Sequence, residues 1–442
     1  MLEGNPTPMN PTPMAVPAGV GRLSRLIHAE PFELKAVLLS FAYFFCLLSS
    51  YYILRPLRDE MGVAGGVDKL PWLFTGTFLA MLVAVPAFSA VAARLPRHRF
   101  IPIAYRFFIA NILVFWALFQ LGPATHAAAA RAFFIWTSVY NLFVVSVFWG
   151  FMADIFRHEQ GARLFGFIAA GGSLGALAGP LLTTWLVKPL GTANLLLVSG
   201  LLLELSVQCV RALHRWALSA HALRPAVRNA ETQPLGGDFL SGIRLVFRSR
   251  FLLGICLYVV LLTATATFLY FEQARIVRAA SVDPRVRTLL FARIDLVVNV
   301  LTLIVQAFVT GRLVKRAGIR FGIGLLPVLT VLGFVALGIS PTLFVLMGVQ
   351  AVRRAAHYGV ERPSREILFT DVGREERYKS KSFIDTVVYR ASDAGTAWMS
   401  TGLEKLGLGM GAVAAAAIGL SLIWLWNSLS LARKDEALEV TR

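Results

Sequence analysis

Residues 49–63 read SSYYILRPLRDEMGV and close an apolar run that begins near Phe32. About twenty apolar residues are enough for a helix to cross a bilayer, so this run predicts a membrane span over residues 33–56. Two arginines, Arg55 and Arg58, follow at its end beside an aspartate and a glutamate. Charges are costly in lipid, so two arginines at this position favour a polar site inside the membrane over an inert membrane anchor.

The composition of the whole chain is that of a polytopic membrane protein. Of its 442 residues, 57% are hydrophobic and 15% are charged, whereas soluble chains carry about 25% charged residues. The formal net charge is +18. Its basic residues stand between long apolar runs, so we expect a lipid bilayer as partner and no nucleic acid. Residues 1–20 are rich in proline and have no apolar core, which is typical of a disordered tail.

Hydropathy predicts an all-α membrane protein with twelve transmembrane helices. The expected spans are 33–56, 70–92, 100–121, 132–155, 162–187, 192–212, 249–273, 287–311, 318–339, 341–366, 379–403 and 407–431. A polar stretch at 213–247 is read as a cytoplasmic linker. It separates a six-helix bundle over 21–212 from a second bundle over 248–432, and a short cytoplasmic tail follows at 433–442.

The distribution of positive charge predicts the orientation in the membrane. Most of the 43 Lys and Arg residues fall in the tails and in the loops on the same side as the tails. The positive-inside rule then places both termini in the cytoplasm, and we expect a bacterial inner membrane. Topology does not explain six arginines within the spans: Arg55, Arg106, Arg293, Arg353, Arg354 and Arg390.

The two halves of the chain resemble each other in sequence. ADIFRHEQGARLF at 153–165 and TDVGREERYKSKSF at 370–383 share an Asp, an Arg and a Glu at equal spacing: Asp154, Arg157 and Glu159 match Asp371, Arg374 and Glu376. GRLVKRAGIRF at 311–321 resembles the basic loop motif of the major facilitator superfamily. This resemblance implies a 6+6 parallel repeat with a central site between the halves.

A glycine-rich stretch marks the fifth span. GGSLGALAGP places Gly171, Gly175 and Gly179 four residues apart, a spacing that lets two helices pack closely. Pro180 is expected to bend or end this face. The stretch also resembles an antiporter signature of the same superfamily.

The arginines inside the spans predict an anion site. Arg354 and Tyr358 are four residues apart on one helix face, and Arg353 lies on the next face. Guanidinium groups donate paired hydrogen bonds to phosphate or carboxylate oxygens, and tyrosine rings offer a surface for a base. The alternative is a set of salt bridges, for which the spacing predicts Arg390 with Asp393 and Lys381 with Asp385. Arg106 and Glu204 are assigned to structure.

The motif YYILRPLRDEMGV resembles the first-span signature of the plastid and bacterial ATP/ADP antiporter family. VVSVFWGFMADIFRHEQGARLFGFIAAGG and RPSREILFTDVGREERYKSKSFIDTVVYRASD resemble two further segments of that family. The resemblance places one functional lysine of the family on Arg58, which keeps the positive charge. It places a second functional lysine on Asp393, where this chain has a negative charge instead. One functional glutamate falls on Glu272 and the other near Thr137, where no acid is present.

The resemblance implies a secondary transporter that exchanges nucleotides or other phosphorylated or carboxylated metabolites by alternating access. The predicted substrate-binding residues are Arg55, Arg58, Glu272, Arg353, Arg354, Tyr358, Arg390 and Asp393. Glu272 and Asp393 are expected to act as counter-ions that compete with the substrate.

The alternative function is proton-coupled export of another solute, with Asp385, Asp393 or Glu272 as the proton site. A receptor with the same fold is a further alternative. An enzyme is not expected, because the seven histidines lack metal-ligand spacing and no nucleotide-hydrolysis motif occurs. We expect no metal, no cofactor and a monomeric carrier.

Overall fold

The protein is a bundle of long helices. The computed structural model describes residues 30, 32–95, 97–121, 123–156, 158–222, 239–369, 380–381, 383–407 and 410–440, and these contain helices but no strand. The first half holds α1 (Leu34–Ala64), α2 (Leu70–Arg94), α3 (Arg97–Gln120), α4 (Pro123–Ile155), α5 (His158–Leu190) and α6 (Leu195–Ala222). The second half holds α7 (Phe239–Arg248), α8 (Arg250–Ala280), α9 (Pro284–Val305), α10 (Gly311–Ile339), α11 (Leu343–Ala356), α12 (Arg362–Leu368), α13 (Tyr389–Lys405) and α14 (Met410–Val440).

Three π-helical segments occur in the described part of the second half. They lie at Gln306–Thr310, between α9 and α10, at His357–Glu361, between α11 and α12, and at Ile384–Val388, before α13. A π turn carries one extra residue and so changes the face that the following residues present; such turns are frequent at functional sites.

The predicted all-α membrane fold is confirmed, whereas a count of twelve spans stays a prediction. Ten helices in the described part of the chain are long and apolar enough to cross a membrane. The predicted spans 341–366 and 379–403 are not among these ten. Both correspond to helices that carry a π segment and several charged residues, which lower their hydropathy.

The first helix is longer than its sequence predicts. The expected end near residue 56 is wrong, because α1 continues through Pro56 to Ala64. Charges beyond Pro56 lower the hydropathy of this stretch, but Asp59 and Glu60 are buried against other helices. Arg55 and Arg58 therefore lie within a continuous helix. The fifth span, predicted over 162–187, forms α5, which continues through Pro180 to Leu190, so Pro180 does not end this helix.

The glycine face predicted in the fifth span packs against α1. A Cβ atom added to Gly171 would lie 2.5 Å from the carbonyl oxygen of Phe41, and one added to Gly179 would lie 2.8 Å from that of Ser49. Gly175, between them, faces the backbone of α1 in the same way. The prediction of close helix packing is confirmed, and this contact fixes the position of α1 within its half.

Each half has its own core. In the first half, the Tyr43 and Tyr105 hydroxyls lie 2.5 Å apart, and Tyr105 donates a hydrogen bond to the Val144 carbonyl oxygen. These contacts join α1, α3 and α4 inside an aromatic core. In the second half, Tyr258 and Trp424 pack edge to face within a separate apolar cluster.

The two halves join at the end of the bundle where α1 ends and α9 begins. Glu60 and Arg287 form a buried ion pair of 2.7 Å between α1 and α9. An apolar cluster surrounds this end and takes residues from both halves, among them Val63, Leu70, Phe134, Phe271 and Phe291. The predicted orientation, with cytoplasmic termini, would put this seal on the outer side of the membrane.

Some predictions fall on residues outside those described. They are the tail 1–20, the middle of the predicted linker at 223–238, and the repeat residues Arg157, Asp371, Arg374 and Glu376. The division into two bundles by residue number remains a prediction.

Candidate functional site

Two arginines from opposite halves meet at one buried carboxylate. Asp295 on α9 accepts a hydrogen bond at Oδ1 from Nη1 of Arg354 on α11, at 2.8 Å. Nη1 of Arg55, on α1, lies 3.5 Å from the same oxygen. Because two guanidinium groups share a single carboxylate, this group of three side chains retains one positive charge.

The same three side chains include unsatisfied polar atoms. Among the described residues, neither Oδ2 of Asp295 nor Nη2 of Arg354 has a hydrogen-bond partner, although both atoms are buried. Buried polar atoms without partners are rare in folded proteins and need an explanation, such as a bound ligand or water. The Arg55 side chain is 21% exposed, so the group is partly accessible to a ligand.

Tyrosine side chains surround this charge. The rings of Tyr51 and Tyr52 lie 5.2 Å apart in an edge-to-face arrangement, and the Arg55 guanidinium lies 5.8 Å from the Tyr52 ring. Tyr358 lies within electrostatic range of both Arg354 and Arg55. All three tyrosines are half-buried, so the site offers ring surfaces as well as charge.

Arg58 lies one turn further along α1 and is held more firmly. It donates to Oδ1 of Asp59 at 3.1 Å, and its guanidinium lies 3.9 Å from the Phe134 ring. The hydroxyl of Tyr270, from α8 in the second half, donates to the same Asp59 oxygen at 3.0 Å. The Arg58–Asp59 pair therefore also contacts both halves.

Asp393 and Arg390 form the ion pair that their spacing predicts. Arg390 lies 3.2 Å from Oδ2 of Asp393, and Thr267 donates to Oδ1 at 2.8 Å. Asp393 is buried and lies within electrostatic range of Arg58. Arg390 and Asp393 thus extend the group of charged side chains from α1 to α13.

Arg353 and Glu272 lie elsewhere. Arg353 is buried inside the second half, where it donates to the hydroxyls of Thr330 and Thr265 and to the Leu262 carbonyl oxygen. Glu272, near the end of α8, accepts from Arg275 at 2.5 Å, and Arg275 also binds Glu404. Neither residue joins the group around Asp295.

Asp385 lies on a π-helical segment and is exposed. It lies within electrostatic range of Arg365 and Lys381. Lys381 forms its ion pair with Glu366, so the expected pairing of Lys381 with Asp385 is not the closest contact of that lysine. Arg106 and Glu204, both predicted to be structural, form an ion pair of 2.9 Å.

Two features of the site were missed by reasoning from sequence. Asp295 was noted only as one of several acids inside spans, although a lone acid in an apolar span is a usable signal for a buried charge pair. The second feature is the π segment at 357–361, where Nδ1 of His357 lies 2.7 Å from Oε2 of the fully buried Glu361. This segment precedes α12 and places Tyr358 beside Arg354.

Comparison of the sequence with known proteins points to one group of carriers. No protein-family model matches the chain. It is 20% identical over 441 residues to the ADP,ATP carrier protein 1 of Chlamydia muridarum, with 84% of this chain and 82% of that carrier covered. It is 21% identical to the protein of the same name from Chlamydia pneumoniae, with 85% of each chain covered.

Comparison of the structure identifies the fold. The POT family transporter PepTSo superposes with a TM-score of 0.63 at 13% identity, covering 92% of this chain and 99% of its own. The nucleoside transporter NupG superposes with a TM-score of 0.59 at 15% identity, covering 90% of this chain and 98% of its own. The chain is therefore a membrane protein with the major facilitator fold, and its sequence is similar to that of ADP,ATP carrier proteins.

Proposed function

We propose that the protein is a secondary transporter that exchanges organic anions, with nucleotides and other phosphorylated metabolites as the favoured class. One observation carries this proposal: Arg55 and Arg354, from opposite halves, converge on the single carboxylate of Asp295. A site that both halves share is the requirement for alternating access, in which the halves rock around a fixed central site.

The chemistry of the lining suits a phosphate group. Each guanidinium offers paired donors that match phosphate oxygens. A substrate phosphate would take the place of the Asp295 carboxylate between Arg55 and Arg354 and would neutralise the remaining positive charge. Tyr52 and Tyr358 would provide ring faces for a base, because aromatic rings stack well on heterocycles.

The net positive charge of Arg55, Arg354 and Asp295 favours obligatory exchange over transport in one direction. Closing the empty carrier would bury an uncompensated charge, which is unfavourable in a low-dielectric interior. A bound anion removes that penalty, so reorientation becomes easier with substrate than without it. The carrier can open at the end of the bundle where α1 ends and α9 begins only if the Glu60–Arg287 pair and the apolar cluster around it separate.

The substrate class is proposed more broadly than ATP and ADP. The relatives that the chain matches are named ADP,ATP carriers, which supports a nucleotide. At two positions where the resemblance places functional charges, this chain has other groups. Thr137 is buried and donates to the Phe133 carbonyl oxygen, and Asp393 is an acid in place of a lysine.

Exchange in proteoliposomes tests the proposal. We expect uptake of labelled ATP into vesicles that are preloaded with unlabelled ADP, and little uptake into empty vesicles. Arg55→Gln should abolish this exchange, whereas Arg131→Gln, which removes an equal charge at an exposed position of α4, should not. Equal uptake with and without preloading, or full activity of Arg55→Gln, would contradict the proposal. If ATP is not taken up, phosphosugars and dicarboxylates are tested in the same assay.

The second candidate is a proton-coupled exporter. It is favoured by two acids: Asp393 is buried within electrostatic range of Arg58, and Asp385 is exposed. A pH gradient across the same vesicles distinguishes the two functions, because only the coupled exporter would respond to the gradient without preloading. We further propose a monomer in the bacterial inner membrane with both termini in the cytoplasm.

A further inference from the structure

An ion pair lies on the outer, membrane-facing surface of the first half. Arg106 of α3 donates to both carboxylate oxygens of Glu204 of α6, at 2.9 and 3.3 Å. The two side chains are 45% and 34% exposed. Their neighbours on α3, Ile103 and Phe107, are 58% and 61% exposed, so this surface faces lipid. Exposed charges are costly in hydrocarbon and need a polar partner.

A groove with an excess of positive charge adjoins this ion pair. It has a volume of about 320 Å³ and is lined by Arg99, Pro102, Ile103, Arg106 and Arg211. Glu204 is the acid within range of these arginines, and its oxygens already accept hydrogen bonds from Arg106 and Gln208. Three guanidinium groups therefore face one carboxylate whose oxygens are occupied.

Two of the three arginines have unused donors. Within the described part of the chain, neither Arg99 nor Arg211 forms a hydrogen bond or an ion pair. Both are exposed, Arg99 at the beginning of α3 and Arg211 in the second half of α6. The groove thus presents several parallel donors next to an apolar, lipid-facing surface.

We propose that this groove binds the head group of an anionic phospholipid. The phosphate accepts hydrogen bonds from Arg99 and Arg211, and the acyl chains lie along Ile103 and Phe107. Basic pockets between transmembrane helices bind anionic lipid head groups in this way. A lipid, and not a free phosphate, is the occupant because the same groove joins charged donors to exposed apolar side chains, which suits both parts of a lipid molecule.

Bound lipid would join α3 to α6 and compensate the exposed charge of Arg106. This site lies on the exposed surface of the first half and shares no residue with the group around Asp295. The proposal therefore survives or fails separately from the proposed transport function.

The test uses delipidated full-length protein in neutral detergent. Phosphatidylglycerol should raise the Tm by at least about 2 °C, as expected for a ligand that binds the folded state. Phosphatidylcholine with the same acyl chains, and inorganic phosphate at the same concentration, should leave the Tm unchanged. The double variant R99Q/R211Q should lose most of the shift, because it removes the two unpaired donors and keeps the Arg106–Glu204 pair.

A matched control removes equal charge elsewhere. R131Q/K188Q replaces two exposed basic residues of α4 and α5 and should retain the full shift with phosphatidylglycerol. Equal stabilisation by phosphatidylcholine, or by phosphate alone, would overturn the assignment to an anionic lipid. An undiminished shift in R99Q/R211Q would overturn the assignment to this groove. If that variant is poorly folded, native mass spectrometry of R99Q and R211Q singly, counting bound phosphatidylglycerol, gives the same decision.

Discussion

Arg353 and Arg354 are adjacent on α11 but lie in two different regions of the molecule. Arg353 points into the second half and donates to the hydroxyls of Thr265 and Thr330 and to a backbone carbonyl. Arg354 points to the interface between the halves and shares the carboxylate of Asp295 with another arginine.

The difference lies in how fully each guanidinium is satisfied. The hydrogen-bond partners of Arg353 all belong to one half, so they would move with it as a rigid body. Arg354 has a buried nitrogen without a partner among the described residues, and its one carboxylate is shared across the interface. A saturated arginine holds a fold together, whereas an unsaturated one next to accessible space can bind an anion. Arg353 and Arg354 are the same type of residue at neighbouring positions, so neither residue type nor position along the helix distinguishes the structural role from the binding role.

The largest effect is expected for Arg354→Gln. It removes one of the two guanidinium groups at Asp295, and we expect anion exchange to fall at least about 100-fold, because charge-assisted hydrogen bonds to a buried anion contribute roughly 3 kcal/mol. The Tm should change little, since the variant also removes an unsatisfied buried nitrogen. Exchange in proteoliposomes and thermal unfolding of the same preparation measure both. Exchange at the wild-type rate would contradict the binding role.

Arg353→Gln should show the opposite pattern. Thr330, Thr265 and the Leu262 carbonyl would lose their common donor, and a buried hydrogen-bond network of this kind contributes about 2 kcal/mol to stability. We expect a lower Tm and a smaller yield of folded protein, with exchange per folded molecule within about threefold of wild type. Loss of exchange in a well-folded Arg353→Gln protein would show that the comparison is wrong.

Asp295→Asn should sharpen the comparison with a smaller effect of opposite sign. Without the carboxylate, Arg55 and Arg354 no longer have an internal anion that competes with the substrate. We expect ATP to bind about tenfold more tightly, because the negative charge of Asp295 repels a phosphate bound beside the same arginines by roughly 1–2 kcal/mol. Slower release should at the same time reduce the exchange rate.

Two controls accompany this variant, with affinity read from the Tm shift across an ATP titration. Asp295→Glu should bind ATP nearly as the wild type does. Asp295→Asn combined with Arg55→Gln, which restores the net charge of the group, should return the affinity toward the wild-type value. Weaker binding by Asp295→Asn alone would mean that Asp295 orders the arginines and does not compete with the substrate.

Much of the fold could be predicted from sequence because hydropathy is a local property. The helices of both halves fall near their predicted positions, and the glycine face of α5 follows from spacing alone. The errors have a common cause. Charged residues such as Asp59 and Glu60 make a stretch look like a loop, although partners from the other half allow them to be buried within a helix.

The sequence by itself determined that the chain crosses a membrane several times and that arginines lie within the first and tenth predicted spans. Only the tertiary structure decided which of those arginines meet. The orientation of a side chain around its helix depends on packing against helices far away in sequence, and a π turn can change it locally. For this reason Asp295 became recognisable as the meeting point of Arg55 and Arg354 only after the two halves were placed together.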